Sequence, residues 1–189
     1  MKTFVATLQS QTPMSQGRSY EREVPILPKE QKDEYEKRTW RNRLHVDKNG
    51  DVFVPPFAFK NCLDEAARFI SKKIPGQGKS TYTKHFQAGV LVLEPLNLGI
   101  KADTVRGEWR FVPSDGVPGS GKRVHKCFPV IDSWKGDVVF HVLDETITLD
   151  VLREHLEQAG LFIGIGSFRP KNRGIWGRFE VLEVKEKQV

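Results

Sequence analysis

With 189 residues, 38% of them hydrophobic, the chain is long enough to bury one substantial core and short for two. A formal net charge of +6 and a pI of about 9.3 favour a polyanionic partner, while the absence of a long apolar run argues against a membrane-spanning helix. Cys62 and Cys127, far apart and each among apolar neighbours, argue against a disulfide framework or a zinc site and fit a reducing compartment. Residues 1–9 turn polar too soon for a secretory signal, so a soluble, cytoplasmic protein is expected.

The first element alternates, with Phe4, Ala6 and Leu8 on one side and β-branched residues between them, which predicts a strand. Residues 18–43 are densely charged with mixed sign and contain a short helical pattern over 29–40, so they read as an exposed insertion. A turn at 47–51 and a short extended piece at 52–56 follow. The spacing of Phe57, Phe59, Cys62, Leu63, Ala66, Ala67, Ile70 and Ile74 predicts an amphipathic helix ending before Pro75. Residues 77–84 read as a polar loop, 90–93 as a buried strand, and 101–126 as a second excursion with hairpin character. Residues 137–143 are a further strand, Thr148 caps a helix closed by Gly160, and 175–184 form the last strand.

Without the insertions, at about 18–50 and 101–126, the order is strand, helix, strand, strand, helix, strand. That order predicts an α+β, ferredoxin-like (RRM-like) fold over residues 1–189, an antiparallel sheet backed by two helices.

The richest stretch is 164–177. Gly164, Gly166, Gly174 and Gly177 permit positive φ and close approach, and Arg169, Lys171, Arg173 and nearby Arg178 seek phosphate, a combination suited to a nucleic-acid backbone. A solvated turn is the plain alternative.

Three segments in this order resemble the RAMP superfamily of RNA-binding proteins found in CRISPR effector complexes. Residues 4–17, running into Thr12-Pro-Met-Ser-Gln-Gly17, are similar to its opening strand and small-residue turn. Residues 50–66, Gly-Asp-Val-Phe-Val-Pro-Pro-Phe-Ala-Phe-Lys and onward, are similar to its strand-proline-helix segment, and 164–177 to its G-loop. The resemblance implies RNA binding, a role for Lys60 near the helix start, and kinship with the repeating backbone subunit that lines guide RNA. It departs at Pro56-Phe-Ala-Phe, where the family carries Gly-Ser or similar, which leaves this helix start less open to phosphate. A likeness to small phage-encoded relatives would place the protein in the cytoplasm of a bacterial host.

Other motifs are weaker. Residues 75–81 lack a glycine where a P-loop needs one, at Lys73, and 116–123 put Arg123 where a magnesium-binding hydroxyl is required, so nucleotide hydrolysis is disfavoured. Lys79, Lys84, Lys122 and Arg123 remain backbone-phosphate candidates. Trp40 with Arg41 and Arg43 reads equally as a base-stacking or partner-binding cluster and as a core anchor, whereas Trp109 and Trp176, in strand-like patterns, read as core anchors. His45 and His85, in polar contexts, are the only candidates for general acid-base chemistry, and neither shows a partner at a fixed spacing. The aspartates 47, 51, 103 and 115 sit beside turns, and no metal-ligand spacing or cofactor motif emerges.

Three functions follow as expectations. The first is a non-catalytic binder of single-stranded RNA or DNA, RNA preferred, assembling along the strand or within a CRISPR-type complex. The second is a metal-independent endoribonuclease, and the third a viral protein that mimics or inhibits an RNA-guided defence complex.

Overall fold

The structure, a computed structural model, describes residues 1–117, 119 and 121–187. Pro118 and Ser120, within the glycine-rich stretch 116–123, lie outside the described residues.

The alternating N-terminal segment forms β1 (Lys2–Ser10), which buries Phe4, Ala6 and Leu8 on one face. It lies at the centre of an antiparallel sheet whose order is β3 (Val90–Leu91), β7 (Lys135–Val142), β1 and β8 (Phe179–Glu186). In register, Phe4 lies opposite Phe140 of β7, and Ser10 opposite Phe179 of β8. The helices α2 (Pro56–Ile70) and α4 (Leu149–Gln158) cover the buried face. Phe59 of α2 meets Trp134 and Phe179 edge-on, while Leu152 and Leu156 of α4 are fully enclosed. Strand order and helix placement are those of the ferredoxin-like fold predicted from the sequence.

Several boundaries differ for local reasons. The α2 helix begins with Pro56, whose missing N–H costs nothing in the first turn. It stops at Ile70 because Ser71 adopts φ +48° and returns its N–H to Ala67 O, so Ile74 is buried from a loop instead. Thr148 caps α4 as expected, its Oγ1 accepting from Val151 N–H. Gly160 does not close that helix: the chain continues as a π-turn, Ala159–Ile163, and ends at Gly164. Gly160 instead lets the turn approach β8, since a Cβ there would lie 2.0 Å from Phe179 O. Lys84 and His85 belong to a helix, α3 (Thr83–Gly89), rather than to a polar loop. The apolar run 90–93 supplies only the two residues of β3, with Leu91 and Leu93 exposed at the sheet edge. The last strand starts at Phe179, not 175.

The charged segment after β1 is a packed element, not an exposed excursion. It contains α1 (Lys32–Thr39) and a 3₁₀ turn (Trp40–Arg43), and buries Tyr20, Tyr35, Trp40 and Leu44. Its partner is the other excursion, a hairpin of β5 (Arg106–Pro113) and β6 (Arg123–Val130). Glu36 and Arg43, both enclosed, form a two-pronged ion pair, and each also bonds the backbone of Cys127 on β6. The pairing of Trp40 with Gly107 brings the ring within 3.1 Å of where a Cβ would stand. A separate ladder joins β2 (Asp51–Val54) to β4 (Leu96–Lys101).

Candidate nucleic-acid interface

The turn after β1, the junction of β2 with α2, and the loop 164–177 meet at one end of the sheet. Backbone bonds hold them there: Gly177 N–H donates to Pro13 O at 2.8 Å, Ser167 N–H to Ser15 O at 2.7 Å, and Ile165 N–H to Gly177 O at 3.0 Å. Between them opens a cleft of about 410 Å³, floored by Met14, Ile165 and Ala58 and walled by charged and polar side chains.

The glycines of this loop serve the chain itself. Gly164, Gly166 and Gly177 all have φ between +71° and +79°, as expected for a loop needing left-handed backbone. What they approach is protein: a Cβ on Gly166 would stand 2.2 Å from Ser15 O, and one on Gly177 1.9 Å from Ile165 O. Contacts within the protein thus already require glycine at these positions, a reason the sequence reading did not supply. Gly166 alone among these three is also exposed on the cleft wall.

The loop cations divide. Arg169 and Lys171 converge on Glu65 of α2, with contacts of 3.2 and 2.7 Å. Arg173 is exposed, at φ +62°, with no ion-pair partner among the described residues. Arg178 caps the chain behind the loop, donating to Leu161 O and Ile175 O. Two expected contacts are committed elsewhere. Lys60 bonds Asp64 and the carbonyls of Phe86 and Gln87, tying α2 to α3, and Arg43 is sealed against Glu36.

The remaining candidates lie apart from this cleft. Lys79 and Lys84 are exposed on the segment leading into α3 and on α3 itself. Lys122 and Arg123 are exposed at the hairpin, where Arg123 covers the Phe111 ring at 5.3 Å. Arg41 stacks on Trp40 at 4.1 Å, and Trp40 is a buried anchor instead of an open stacking ring. Trp176 is buried beneath Arg110, as its strand-like pattern suggested, whereas Trp109, read the same way, is 46% exposed on β5. Arg110 stands 4.0 Å from the Trp176 ring and 4.7 Å from that of Phe168, joining hairpin to loop.

The two histidines also separate. His45 lines the cleft between Phe53 and Phe57, and burial, followed by the nearby Arg18 charge, lowers its pKa and favours the neutral ring. His85 has the partner its sequence context did not disclose: its Nδ1 lies 2.7 Å from Asp144, which Thr146 also bonds and holds below the usual carboxylate range. Asp144 follows the end of β7 that pairs with Lys2, whereas the cleft adjoins Ser10. Neither His85 nor Asp144 lines the cleft.

Sequence reasoning missed Phe57, Asn61 and Glu65, which lie at i, i+4 and i+8 on α2 and face the cleft together. Phe57, counted there with the apolar face, is 57% exposed. The signal was the pair of polar residues four apart in line with it. Buried Cys62, its thiol pushed up to about 12 by desolvation, is inert. Among the described residues no group of three His, Cys, Asp or Glu could hold a metal, and no helix is long and apolar enough to cross a membrane.

Neither protein-family models nor curated protein sequences give a match. Solved structures do. A chain of the Type III-B Cmr-beta complex bound to cognate target RNA superposes with a TM-score of 0.54 at 10% identity, over 99% of this chain and 61% of that one. This chain thus spans about three-fifths of that neighbour. Cmr6 from Pyrococcus furiosus matches at TM-score 0.48 and 12% identity, over 95% and 97% of the two chains. A CRISPR protein from Archaeoglobus fulgidus matches at 0.40 and 16%, over 100% and 65%. At 10% identity the likeness is one of fold: this chain is folded like that chain of the Cmr-beta complex.

Proposed function

We propose that this RAMP-like chain, acting as one domain, binds single-stranded RNA in preference to DNA and does not cleave it, as a subunit of a CRISPR-type RNA-guided complex. The observation that carries the reading is the meeting of three sequence-distant segments at one cleft, with Arg169, Lys171 and Arg173 on its loop. Its similarity in fold to a chain from a complex bound to target RNA supports the choice of ligand. Loop cations hold phosphates without reading sequence, so affinity should vary little from one sequence to another. Lys79, Lys84, Lys122, Arg123 and Arg41, which lie apart from the cleft, are the further cations that a longer strand, or successive copies of the chain along it, would use.

Binding of end-labelled RNA by the purified protein tests this, with the strand recovered and sized afterwards. Intact RNA bound with steep salt dependence is expected. Metal-independent fragments, lost in His45→Ala with binding retained, would replace this reading with an endoribonuclease, since His45 is the histidine that faces the cleft. Capture of host RNA-guided complexes by a protein that binds no RNA would favour the inhibitor reading.

A further inference from the structure

We infer that one end of the cleft is a nucleobase pocket, in which a single unstacked base lies on Phe57 with the Asn61 amide at its edge. This rests on the cleft being a nucleic-acid site, and it adds a subsite for the base to the loop that holds phosphate.

Three features of Phe57 and its neighbours motivate it. A phenylalanine in the first turn of a long helix is 57% exposed, although the same helix buries Phe59 completely. Its ring is fixed from one side only: His45 meets it edge-on, at 6.0 Å and 76°, and His45 is in turn backed by Phe53 at 5.7 Å. The segment carrying His45 is itself pinned, since Gln16 accepts from His45 N–H at 2.7 Å and donates to Phe53 O at 2.8 Å. The backbone beneath His45 and Phe53 is thus held in place beside a largely exposed Phe57 ring, an arrangement suited to stacking a base.

Asn61 stands one helical turn further along the same face. It is exposed, and its amide has no hydrogen-bond partner among the described residues, whereas Gln16 has both ends engaged. An amide offers a donor beside an acceptor, which complements the edge of a base, and single-stranded RNA is read through stacked bases whose edges are so bonded. Glu65, with Arg169 and Lys171, lies two turns from Phe57, about 12 Å along the helix at 1.5 Å per residue. Base and phosphate ends of the cleft are thus separate. The neutral state of His45 suits the pocket, because an uncharged ring can flank a base without holding water around it.

The test uses the full chain and two end-labelled probes, a short oligoadenylate and an abasic ribose-phosphate chain of equal length and charge. For the parent, removing the bases should cost about 5- to 150-fold in affinity, the equivalent of about 1–3 kcal/mol for one stacked base. Phe57→Ala should weaken oligoadenylate by a similar factor and leave the abasic chain unchanged, and Phe57→Trp should restore binding. Asn61→Ala should follow Phe57→Ala with a smaller loss. Because Phe57 is exposed, its variants should melt with the parent. Equal losses of both probes in Phe57→Ala, or parental affinity for oligoadenylate, would remove the pocket and leave the phosphate site standing. Failure of the parent to bind either probe would overturn the whole cleft reading.

Discussion

Glu36 and Glu65 are both ion-paired glutamates on helices, and they differ in what surrounds them. Glu36 and Arg43 are each less than a tenth exposed, and their remaining bonding capacity goes to the Cys127 backbone. Glu65 is partly exposed at a cleft wall, and its Lys171 partner is 41% exposed. The same residue types therefore form a sealed clamp in one place and a partly exposed group of ion pairs in the other. Burial separates them: a sealed pair cannot exchange its partner for a phosphate, whereas the function proposed above requires the wall-side pairs to do so.

The sharpest division between them should appear in Arg43→Met. Leaving Glu36 enclosed without its partner should cost about 3–5 kcal/mol in urea unfolding, and the fraction that folds should bind RNA normally. A loss below about 1 kcal/mol would mean that water reaches the clamp, and the contrast with Glu65 would disappear.

Gly177→Val comes next. Its φ of +79° and the 1.9 Å approach of a Cβ to Ile165 O should cost at least about 1–3 kcal/mol, and binding should fall with stability because the loop carrying Arg169 and Lys171 loses its tie to Pro13. A variant that melts with the parent would show that the loop finds another path.

How far this contrast could be read in advance depends on sequence distance. The strand-helix order was legible because α2 and α4 repeat apolar residues at helical spacing and Thr148 announces its helix. The left-handed glycines were legible too. What those glycines touch was not, because Gly166 meets Ser15 from the far end of the chain. His85 and Asp144 are likewise joined only by folding, 59 residues apart. Arg43 and Trp40 looked like surface chemistry because their neighbours in sequence are charged. The hairpin that covers them, through Gly107 and Cys127, comes from another segment.

Smaller effects sharpen the functional side. Replacing Arg169, Lys171 and Arg173 together by alanine should reduce the log-log salt slope of binding by roughly 2, at about 0.7 per phosphate contact on a single strand. An unchanged slope in the folded variant would exclude the loop from the interface. Glu65→Gln should act in the opposite direction, raising affinity and steepening the slope by up to about 0.7, because Arg169 and Lys171 are no longer held to a carboxylate.

A further measurement tests stability away from both clusters. His155 is fully buried, donates from Nδ1 to Val151 O at 2.7 Å, stacks on Phe86 at 4.2 Å, and leaves Nε2 without a partner among the described residues. Burial lowers its pKa; the Val151 carbonyl and Glu154 oppose that shift, and Lys72 adds to it. Below about pH 6.5 the unfolded chain takes up a proton that the folded site resists, so stability present above that pH should decline as pH falls, by at most about 1.4 kcal/mol per pH unit. In His155→Phe this part of the decline should vanish; a decline of unchanged size would assign it to other groups.

The two borders of the main sheet bear on how copies of this chain can meet. One border, β3, is two residues long, and the other, β8, carries Glu183, Lys185 and Glu186 beside its irregular pairing with β1. Neither offers a long, flat, uncharged row of backbone groups to a neighbouring strand. A filament built by continuing the main sheet from one molecule into the next is therefore disfavoured, so any assembly along a strand would have to rely on other surfaces of the molecule.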